Sequence, residues 1–98
     1  MRFVTREKIN SMKHAILVDM RSPVQYRDDP ITGSVNLPLR NLVNHLTLIR
    51  DKSKPVILFG STTSDEDLKM GGTYSENLGF DTYYTDLKQL QESTEDKK

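Results

Sequence analysis

The sequence predicts an α/β fold in which helices cover both faces of a mainly parallel sheet of about four or five strands. Two short apolar runs, at residues 15–18 and 55–59, are typical of strands that are buried on both faces. Segments with apolar residues at helical spacing lie after these runs. Strands that alternate with helices in this way specify a parallel sheet with helices on its faces.

The first half of the chain predicts two helical segments and two strands. A helix begins after the N-cap residue Thr5 and runs to about Lys13. Residues 15–19 follow as a buried strand that ends in a charge. One or two helical turns over residues 24–27 precede a short strand at residues 35–37, and this order already gives the alternation of a parallel sheet.

The second half predicts a helix, a buried strand, another helix and a last strand. The first helix is marked by one apolar stripe that consists of Leu39, Leu42, Val43, Leu46 and Ile49. The strand at residues 55–59 comes next. Ser64 is the predicted N-cap of the following helix, in a capping box with Asp67, and Gly79 is the predicted residue at its end. Residues 82–85 are rich in β-forming side chains and form the last strand.

Two adjacent glycines, Gly71 and Gly72, fall inside the second of these helices. A glycine in a helix interior costs roughly 1 kcal/mol relative to alanine, so a gain elsewhere must offset it. We expect these positions to allow a close approach between the helix and the sheet.

The composition indicates a single domain with no net charge. The chain has 98 residues, of which 1–90 are predicted to form the domain and 91–98, which lack apolar residues, a polar tail. Fourteen basic residues balance fourteen acidic ones, so no net field attracts nucleic acid or an anionic membrane. No apolar stretch approaches the roughly 20 residues of a membrane span, and the N-terminus has no apolar signal-peptide region. We therefore expect a cytoplasmic protein. We also expect no cofactor.

Two stretches of the sequence carry a family signature. Asp19, Arg21 and Ser22 form an Asp-x-Arg-Ser motif at the end of a strand, and Gln25-Tyr26 follows where the family usually has Glu-Tyr. Together with residues 31–38 they resemble the rhodanese-like domain, a small sulfurtransferase fold. The retained structural positions of the family are Asp19, Arg21, Tyr26, Gly33, Asn36 and Pro38. The resemblance extends from about residue 4 to residue 90 and implies a single rhodanese-like domain, although the family's Gly-His pair and first proline are missing.

The resemblance also implies a reaction that this chain lacks the means to perform. In the family, a cysteine directly after the strand at 56–59 attacks a sulfur donor and carries the sulfur as a persulfide. Gly60 stands in that position, and the chain contains no cysteine. Neither glycine nor a serine or threonine hydroxyl can form a persulfide. The sequence therefore predicts no catalytic residue, no sulfurtransferase activity and, by the same reasoning, no activity like that of the cysteine phosphatases that share the fold.

The loop after this strand is the candidate binding site, because ligands collect at the carboxyl ends of parallel strands. Its residues are Gly60, Ser61, Thr62, Thr63, Ser64, Asp65 and Glu66. The family usually has an arginine here that holds an anionic donor, whereas Asp65, Glu66 and Asp67 would repel thiosulfate or phosphate. Adjacent helical carboxylates point about 100° apart, so they predict no metal site.

Three functions remain open at this point. The first is a catalytically inactive rhodanese-like domain that acts as a binding or regulatory module, with a protein partner whose basic surface meets the acidic loop. The alternative is a small-molecule or anion-binding protein, or a non-thiol enzyme, that uses the hydroxyls of the same loop. A serine nucleophile would need a general base, and the two histidines, His14 and His45, are far from the loop in sequence. The third is a purely structural domain in a self-associated dimer, and the sequence does not give the oligomeric state.

Overall fold

The structure, a computed structural model, describes residues 1–95, which form five strands and five helices. The strands are β1 (Arg2–Phe3), β2 (Ile16–Asp19), β3 (Ser34–Asn36), β4 (Val56–Phe59) and β5 (Thr82–Tyr84). The helices are α1 (Arg6–Ser11), α2 (Pro23–Asp28), α3 (Leu39–Leu48), α4 (Glu66–Asn77) and α5 (Leu87–Glu95). All strand pairs are parallel, and the order across the sheet is β1-β5-β4-β2-β3. The predicted α/β class is therefore confirmed.

Strand β1 is the element that the sequence did not predict. Its two residues are exposed and pair with Tyr83 and Tyr84 of β5. The backbone N–H of Val4 extends the pairing by donating to the carbonyl oxygen of Tyr84 at 2.9 Å. The rings of Phe3 and Tyr84 meet edge to face with centroids 5.5 Å apart. A two-residue segment has no periodicity, so only this tertiary pairing marks it as a strand.

The sheet reverses its winding direction between β2 and β4. From β2 the chain moves outward to β3, crosses back to β4 on the other side of β2, and continues outward to β5. The connections that leave two such adjacent strands diverge and open a crevice at the carboxyl ends of the strands. β4 is the central strand, and its four side chains are fully buried. The loop after β4 therefore begins where open α/β sheets place their ligands.

Two apolar clusters pack on opposite faces of the sheet. The larger, covered by α3 and α4, consists of Val18, Met20, Leu37, Leu42, Leu46, Val56, Leu58, Leu68 and Phe80. The smaller cluster consists of Val4, Ile57 and Tyr83. Four partly buried residues pack against it, namely Ile9, Met12, Ala15 and Leu17. Ile57 lies between Val56 and Leu58 in β4, and the alternation of side chains along a strand sends it to the other face. The predicted arrangement with helices on both faces follows from these two clusters.

Helix α1 is shorter than the sequence predicts. Thr5 is its N-cap as expected, and the Thr5 hydroxyl accepts from the backbone N–H of Lys8. The helix ends at Ser11 because Met12 takes an extended conformation and His14 has a φ of 64°. A turn at residues 13–14 therefore replaces the last predicted turn of the helix.

The close approach predicted for the two glycines of α4 is present. Gly71 and Gly72 are both buried. A Cβ on Gly71 would lie 2.7 Å from Cε of Met20 and 2.9 Å from Cδ2 of Leu42. A Cβ on Gly72 would overlap the side chain of Met1. The absence of side chains at these two positions lets α4 pack tightly against the sheet and α3.

The last two helices end differently. α4 stops before Gly79, whose φ of 98° lies in the left-handed region that favours glycine, as predicted. The N–H of Phe80 donates back to the carbonyl oxygen of Ser75 at 3.2 Å and closes this end. α5 runs on to Glu95 and so passes the predicted division between domain and tail, and residues 96–98 of that tail lie outside the described residues.

Within residues 1–95, no helix has the length and apolar character that a membrane crossing requires.

A buried ion pair holds the turn that follows β2. The Arg21 guanidinium donates to both oxygens of the Asp19 carboxylate, with Nη2 2.8 Å from Oδ2 and Nε 3.0 Å from Oδ1. The two side chains are 4% and 0% exposed. Nη2 of Arg21 also donates to the carbonyl oxygen of Asp29 at 2.7 Å. The hydrogen bonds to Asp19 raise the pKa of the Arg21 guanidinium above its usual range, so this side chain stays a cation inside the fold.

Neighbouring strands fix the same turn from both sides. The side-chain amide of Asn36, in β3, donates to the carbonyl oxygens of Asp19 and Arg21, both at 2.9 Å. On the other side, the N–H of Met20 donates to the carbonyl oxygen of Phe59 in β4 at 2.8 Å. Residues 19–21 therefore form a rigid support directly beside the start of the loop that follows β4.

We expect Asp19→Asn to lower the free energy of unfolding by about 3 kcal/mol, because it leaves the buried Arg21 charge without a compensating carboxylate. The matched control is Asp28→Asn, which breaks the Arg27–Asp28 pair, whose side chains are 74% and 66% exposed. An exposed pair contributes at most about 1 kcal/mol, so the control should change little. Urea unfolding followed by circular dichroism measures both variants. Equal losses for the two would contradict the role assigned to the buried pair.

We expect Gly71→Ala to destabilise the protein by about 1 kcal/mol, because overpacking against Met20 and Leu42 exceeds the gain in helix propensity. The control is Thr73→Ala, an exposed position in the same helix, which should stabilise by about 0.5 kcal/mol through propensity alone. Thermal unfolding compares the two variants. A stabilised Gly71→Ala protein would show that α4 does not need the close approach.

Candidate functional site

The predicted binding loop lies between β4 and α4 at the carboxyl edge of the sheet. Gly60 is buried directly after β4. The hydroxyl side chains that follow are all exposed, and they belong to Ser61, Thr62, Thr63 and Ser64. The N–H of Asp65 donates to the carbonyl oxygen of Thr62 at 3.4 Å, which folds the loop back on itself. The loop therefore presents hydroxyl groups to solvent from a closed backbone turn.

The Asp65 carboxylate lies over Gly60. A Cβ placed on Gly60 would lie 3.1 Å from Oδ2 of Asp65 and 3.6 Å from its Cβ and Cγ. The three nearest atoms thus all belong to Asp65, and the shortest distance is tighter than ordinary van der Waals contact. The resemblance places the family's cysteine at this position, so the space where its side chain would begin already borders a carboxylate of the same chain.

Asp65 is also the N-cap of α4, which corrects the prediction that Ser64 has this role. Oδ1 of Asp65 accepts from the N–H of Asp67 at 2.9 Å. The Ser64 hydroxyl instead pairs with the Thr62 hydroxyl at 3.2 Å. Both serine and aspartate are good N-caps, so the sequence allows either, and the turn closed by Asp65 places its side chain at the first free N–H groups.

The loop ends in three consecutive carboxylates, and the next cation along the chain is Lys69, one turn later in α4. Glu66 and Asp67 are exposed in the first turn of α4, and no ion pair within residues 1–95 engages them or Asp65. The nearest buried cation in the framework, Arg21, is bound to Asp19 and Asp29. The arginine that would hold an anionic sulfur donor therefore has no counterpart in the described loop.

One residue that contacts the loop, Gln25, was not predicted as part of the site. Nε2 of Gln25, in α2, donates to the hydroxyl of Ser61 at 3.3 Å, which joins the two sides of the crevice. Val24, its neighbour, is an apolar side chain that is 54% exposed. No local signal in the sequence reports a contact between residues 36 positions apart, so only the fold reveals this part of the surface.

The remaining predicted motif residues lie in the framework around the loop. Tyr26 is half-buried on α2. Gly33 has a φ of 85° in the turn before β3, a conformation that favours glycine. Pro38 precedes α3, and its carbonyl oxygen accepts from the N–H of Leu42 at 2.9 Å. These residues shape the connections, and none of them contacts the loop hydroxyls through a hydrogen bond described in the structure.

The site offers little acid–base or metal chemistry. Across the described range, 1–95, no group of three or more His, Asp or Glu side chains is arranged to hold a metal ion. His14 lies in the turn before β2 and His45 on α3, and both are exposed. The hydrogen-bond partners of the loop hydroxyls are Gln25 and other loop hydroxyls. This arrangement can donate and accept hydrogen bonds, and no hydrogen bond described within residues 1–95 links a loop hydroxyl to a carboxylate or a histidine.

Comparison with known proteins places this geometry in a family. The family described as Rhodanese-like domain matches residues 5–93. A tRNA sulfurtransferase of Thermoplasma acidophilum is 27% identical over 86 residues. That match covers 88% of this chain but only 17% of the sulfurtransferase, so the chain spans about a sixth of that relative's length.

Solved structures share the fold at low sequence identity. The solution structure of a rhodanese-like domain from Anabaena sp. has a TM-score of 0.74 and 18% identity, with 95% of this chain and 75% of that chain covered. A single-domain sulfurtransferase from Saccharomyces cerevisiae has a TM-score of 0.70 and 14% identity, with 94% and 89% covered. At such identities the likeness concerns the fold alone. Since the family match spans nearly the whole chain and the fold agrees with it, the protein belongs to the rhodanese-like domain family.

Proposed function

We propose that this rhodanese-like domain is a catalytically inactive binding module whose loop, residues 60–66, contacts a protein partner with a basic surface. The observation that carries the proposal is the Asp65 carboxylate over Gly60, with Glu66 and Asp67 exposed beside it. The cytoplasmic location predicted from the sequence is part of the proposal. The sulfur transfer named for the Thermoplasma relative is not extended to this chain.

The absence of a cysteine sulfur excludes the persulfide chemistry that the family usually performs. Persulfide formation needs a polarisable thiolate that attacks the donor sulfur, and the 98 residues contain no cysteine. The hydroxyls of Ser61 to Ser64 titrate far above neutral pH, and their described partners are amide and hydroxyl groups rather than a base. Binding is therefore the function that the loop's groups support best.

The electrostatics of the loop favour a cationic partner. Asp65, Glu66 and Asp67 are consecutive at the N-terminal end of α4, and no ion pair within residues 1–95 neutralises them. An exposed group of like charges mainly speeds encounter with an oppositely charged surface and disfavours like-charged ones. Lysine and arginine side chains on a partner would meet these carboxylates directly.

One exposed apolar side chain lies on α2, the helix that contacts the loop through Gln25. Val24 is more than half exposed, and Gln25 beside it is hydrogen-bonded to Ser61. An apolar contact at the centre of a polar patch supplies affinity that exposed charges alone do not give. The proposed partner segment therefore combines basic residues with one apolar side chain.

We expect the protein to produce no thiocyanate above background when it is incubated with thiosulfate and cyanide, because no group on the chain can accept the outer sulfur. Colorimetric detection of thiocyanate measures this, with a cysteine-containing rhodanese as the positive control. Turnover that scales with protein concentration and survives repurification would contradict the proposed inactivity.

We expect Glu66→Lys to abolish the binding of a basic partner while leaving the fold intact, because it reverses an exposed charge without touching the cap or the core. The control is Glu7→Lys, which reverses another exposed acidic residue, in the first turn of α1. The probe is an oligolysine peptide that carries one leucine, titrated while amide shifts are recorded, with an oligoglutamate peptide as the opposite-charge reference.

Saturable shifts in residues 60–67 of the native protein that disappear in Glu66→Lys but persist in Glu7→Lys would support the proposal. Equal binding by both variants, or saturable binding of the acidic peptide, would overturn it. If the loop responds instead to small neutral metabolites, the hydroxyls rather than the carboxylates define the site.

A further inference from the structure

We propose that two copies of this chain associate through the outer face of α4, with the two helices antiparallel about a two-fold axis beside Thr73. The outer face of α4 consists of Lys69, Met70, Thr73, Tyr74, Glu76 and Asn77. It is a different surface from the loop at residues 60–66, so the proposal does not rest on the proposed function.

The outer face of α4 holds a shallow cavity beside an exposed apolar side chain. The cavity has a volume of about 400 Å³ and is lined by Lys69, Met70, Thr73, Tyr74 and Asn77. The side chain of Met70 is 58% exposed. The opposite side of the helix is buried against the sheet and α3. Apolar surface of this kind is removed from water when a second helix packs on it, which favours association.

The ring of Tyr74 is fixed in place on this face. Its hydroxyl lies 2.6 Å from the hydroxyl of Thr47 in α3. Thr47 donates its one hydrogen to the carbonyl oxygen of Val43 at 2.7 Å, so Tyr74 is the donor of the hydroxyl pair. The phenol group is therefore satisfied within the chain. The half-buried ring is an apolar surface that loses little conformational freedom when a partner covers it.

Two opposite charges flank the centre of this face on the same side of the helix. Lys69 and Glu76 are both exposed, and their spacing of seven residues is within about 20° of two full turns. About 10 Å along the helix axis lies between them. No ion pair within residues 1–95 engages Lys69. Oε2 of Glu76 is 2.6 Å from the N-terminal ammonium, and a carboxylate can accept from a second cation through its other oxygen.

A two-fold axis beside Thr73 brings these charges together between copies. Lys69 lies about 6 Å before Thr73 along the helix axis, and Glu76 lies about 4.5 Å after it. When the second helix runs in the opposite direction, Lys69 of one copy comes level with Glu76 of the other to within about 1.5 Å. Symmetry repeats the contact, so one packing forms two ion pairs. A parallel pair would instead set Lys69 against Lys69, which like-charge repulsion disfavours.

The same axis pairs the apolar groups on the other side of Thr73. Met70 lies about 4.5 Å before Thr73 and Tyr74 about 1.5 Å after it, so in opposite copies the two come within about 3 Å of the same level. A methionine thioether packs favourably against an aromatic ring and adapts to its shape. The short side chain of Thr73 at the crossing lets the two helices approach closely. The charges and the apolar groups therefore select the same antiparallel arrangement.

We expect the dimer to be weak. α4 has 12 residues and a length of about 18 Å, and a single helix pair of this length lies at the low end of specific interfaces. Exposed ion pairs add little affinity and mainly determine the orientation of the partners. The expected dissociation constant is on the order of 100 µM, so the protein is a monomer at low micromolar concentration.

Sedimentation equilibrium of the full chain, between about 10 µM and about 1 mM, measures the association. We expect Lys69→Glu to weaken it at least about tenfold, because it sets like charges against each other in both pairs. The matched control is Lys88→Glu, at an exposed lysine in the first turn of α5, which changes the net charge equally and should leave the association unchanged. Adding Glu76→Lys to Lys69→Glu exchanges the two charges and should restore most of the loss, because the two residues meet only between copies.

A second measurement reports the apolar contact and needs no substitution. A sample that mixes isotope-labelled and unlabelled copies at about 1 mM should show a nuclear Overhauser effect between the Met70 methyl group and the Tyr74 ring of different copies. Met70→Glu should weaken the association at least about tenfold, because it buries a charge against that ring. Dispersed amide spectra establish beforehand that each variant is folded.

A protein that stays monomeric up to about 1 mM would overturn the proposal. A dimer that Lys69→Glu leaves as strong as the native one, or a dimer without the contact between Met70 and Tyr74, would do so as well. If Glu66→Lys abolishes self-association and Lys69→Glu does not, the acidic loop meets a basic surface of another copy, and the α4 contact is wrong. Peptide binding to the loop is measured at low micromolar protein, where the chain is monomeric, so the two proposals can fail separately.

Discussion

The buried ion pair between Asp19 and Arg21 is the constraint on which the rest of the site depends. It lies at the carboxyl end of β2, where the sheet reverses its winding direction, and Asn36 and Phe59 bind the same turn from the strands on either side. Two buried charges are stable only when each has its oppositely charged partner and its hydrogen bonds. This requirement holds three strand ends in one arrangement and so fixes where the loop after β4 begins.

The framework and the chemistry of this family are carried by different residues, which lets one persist without the other. Asp19, Arg21 and Asn36 stabilise the fold through contacts with each other and with the backbone, and none of these contacts involves a group at position 60. A change from cysteine to glycine there removes the reactive atom and leaves the support intact. The framework of this chain therefore does not depend on the side chain at position 60.

The sequence predicted those features that depend on local pattern. The apolar run before Asp19 and the stripe through Leu42 and Leu46 encode burial directly, so β2 and α3 could be found from spacing alone. Strand β1 and the contact from Gln25 to Ser61 depend on partners 81 and 36 residues away, and no local pattern reports them. The cap of α4 was assigned one residue too early, because Ser64 and Asp65 are equally good caps until the loop closes.

The position of Asp65 reverses the ordinary preference of a helix N-terminus at the mouth of a crevice. Such a terminus attracts anions through its free N–H groups and its dipole. Here the chain supplies that anion itself, since Oδ1 of Asp65 meets the N–H of Asp67 while Oδ2 faces Gly60. Glu66 and Asp67 then add charge that no ion pair within residues 1–95 engages. The helix end beside the loop thus presents carboxylates to solvent, and this is the feature on which the proposed cationic partner rests.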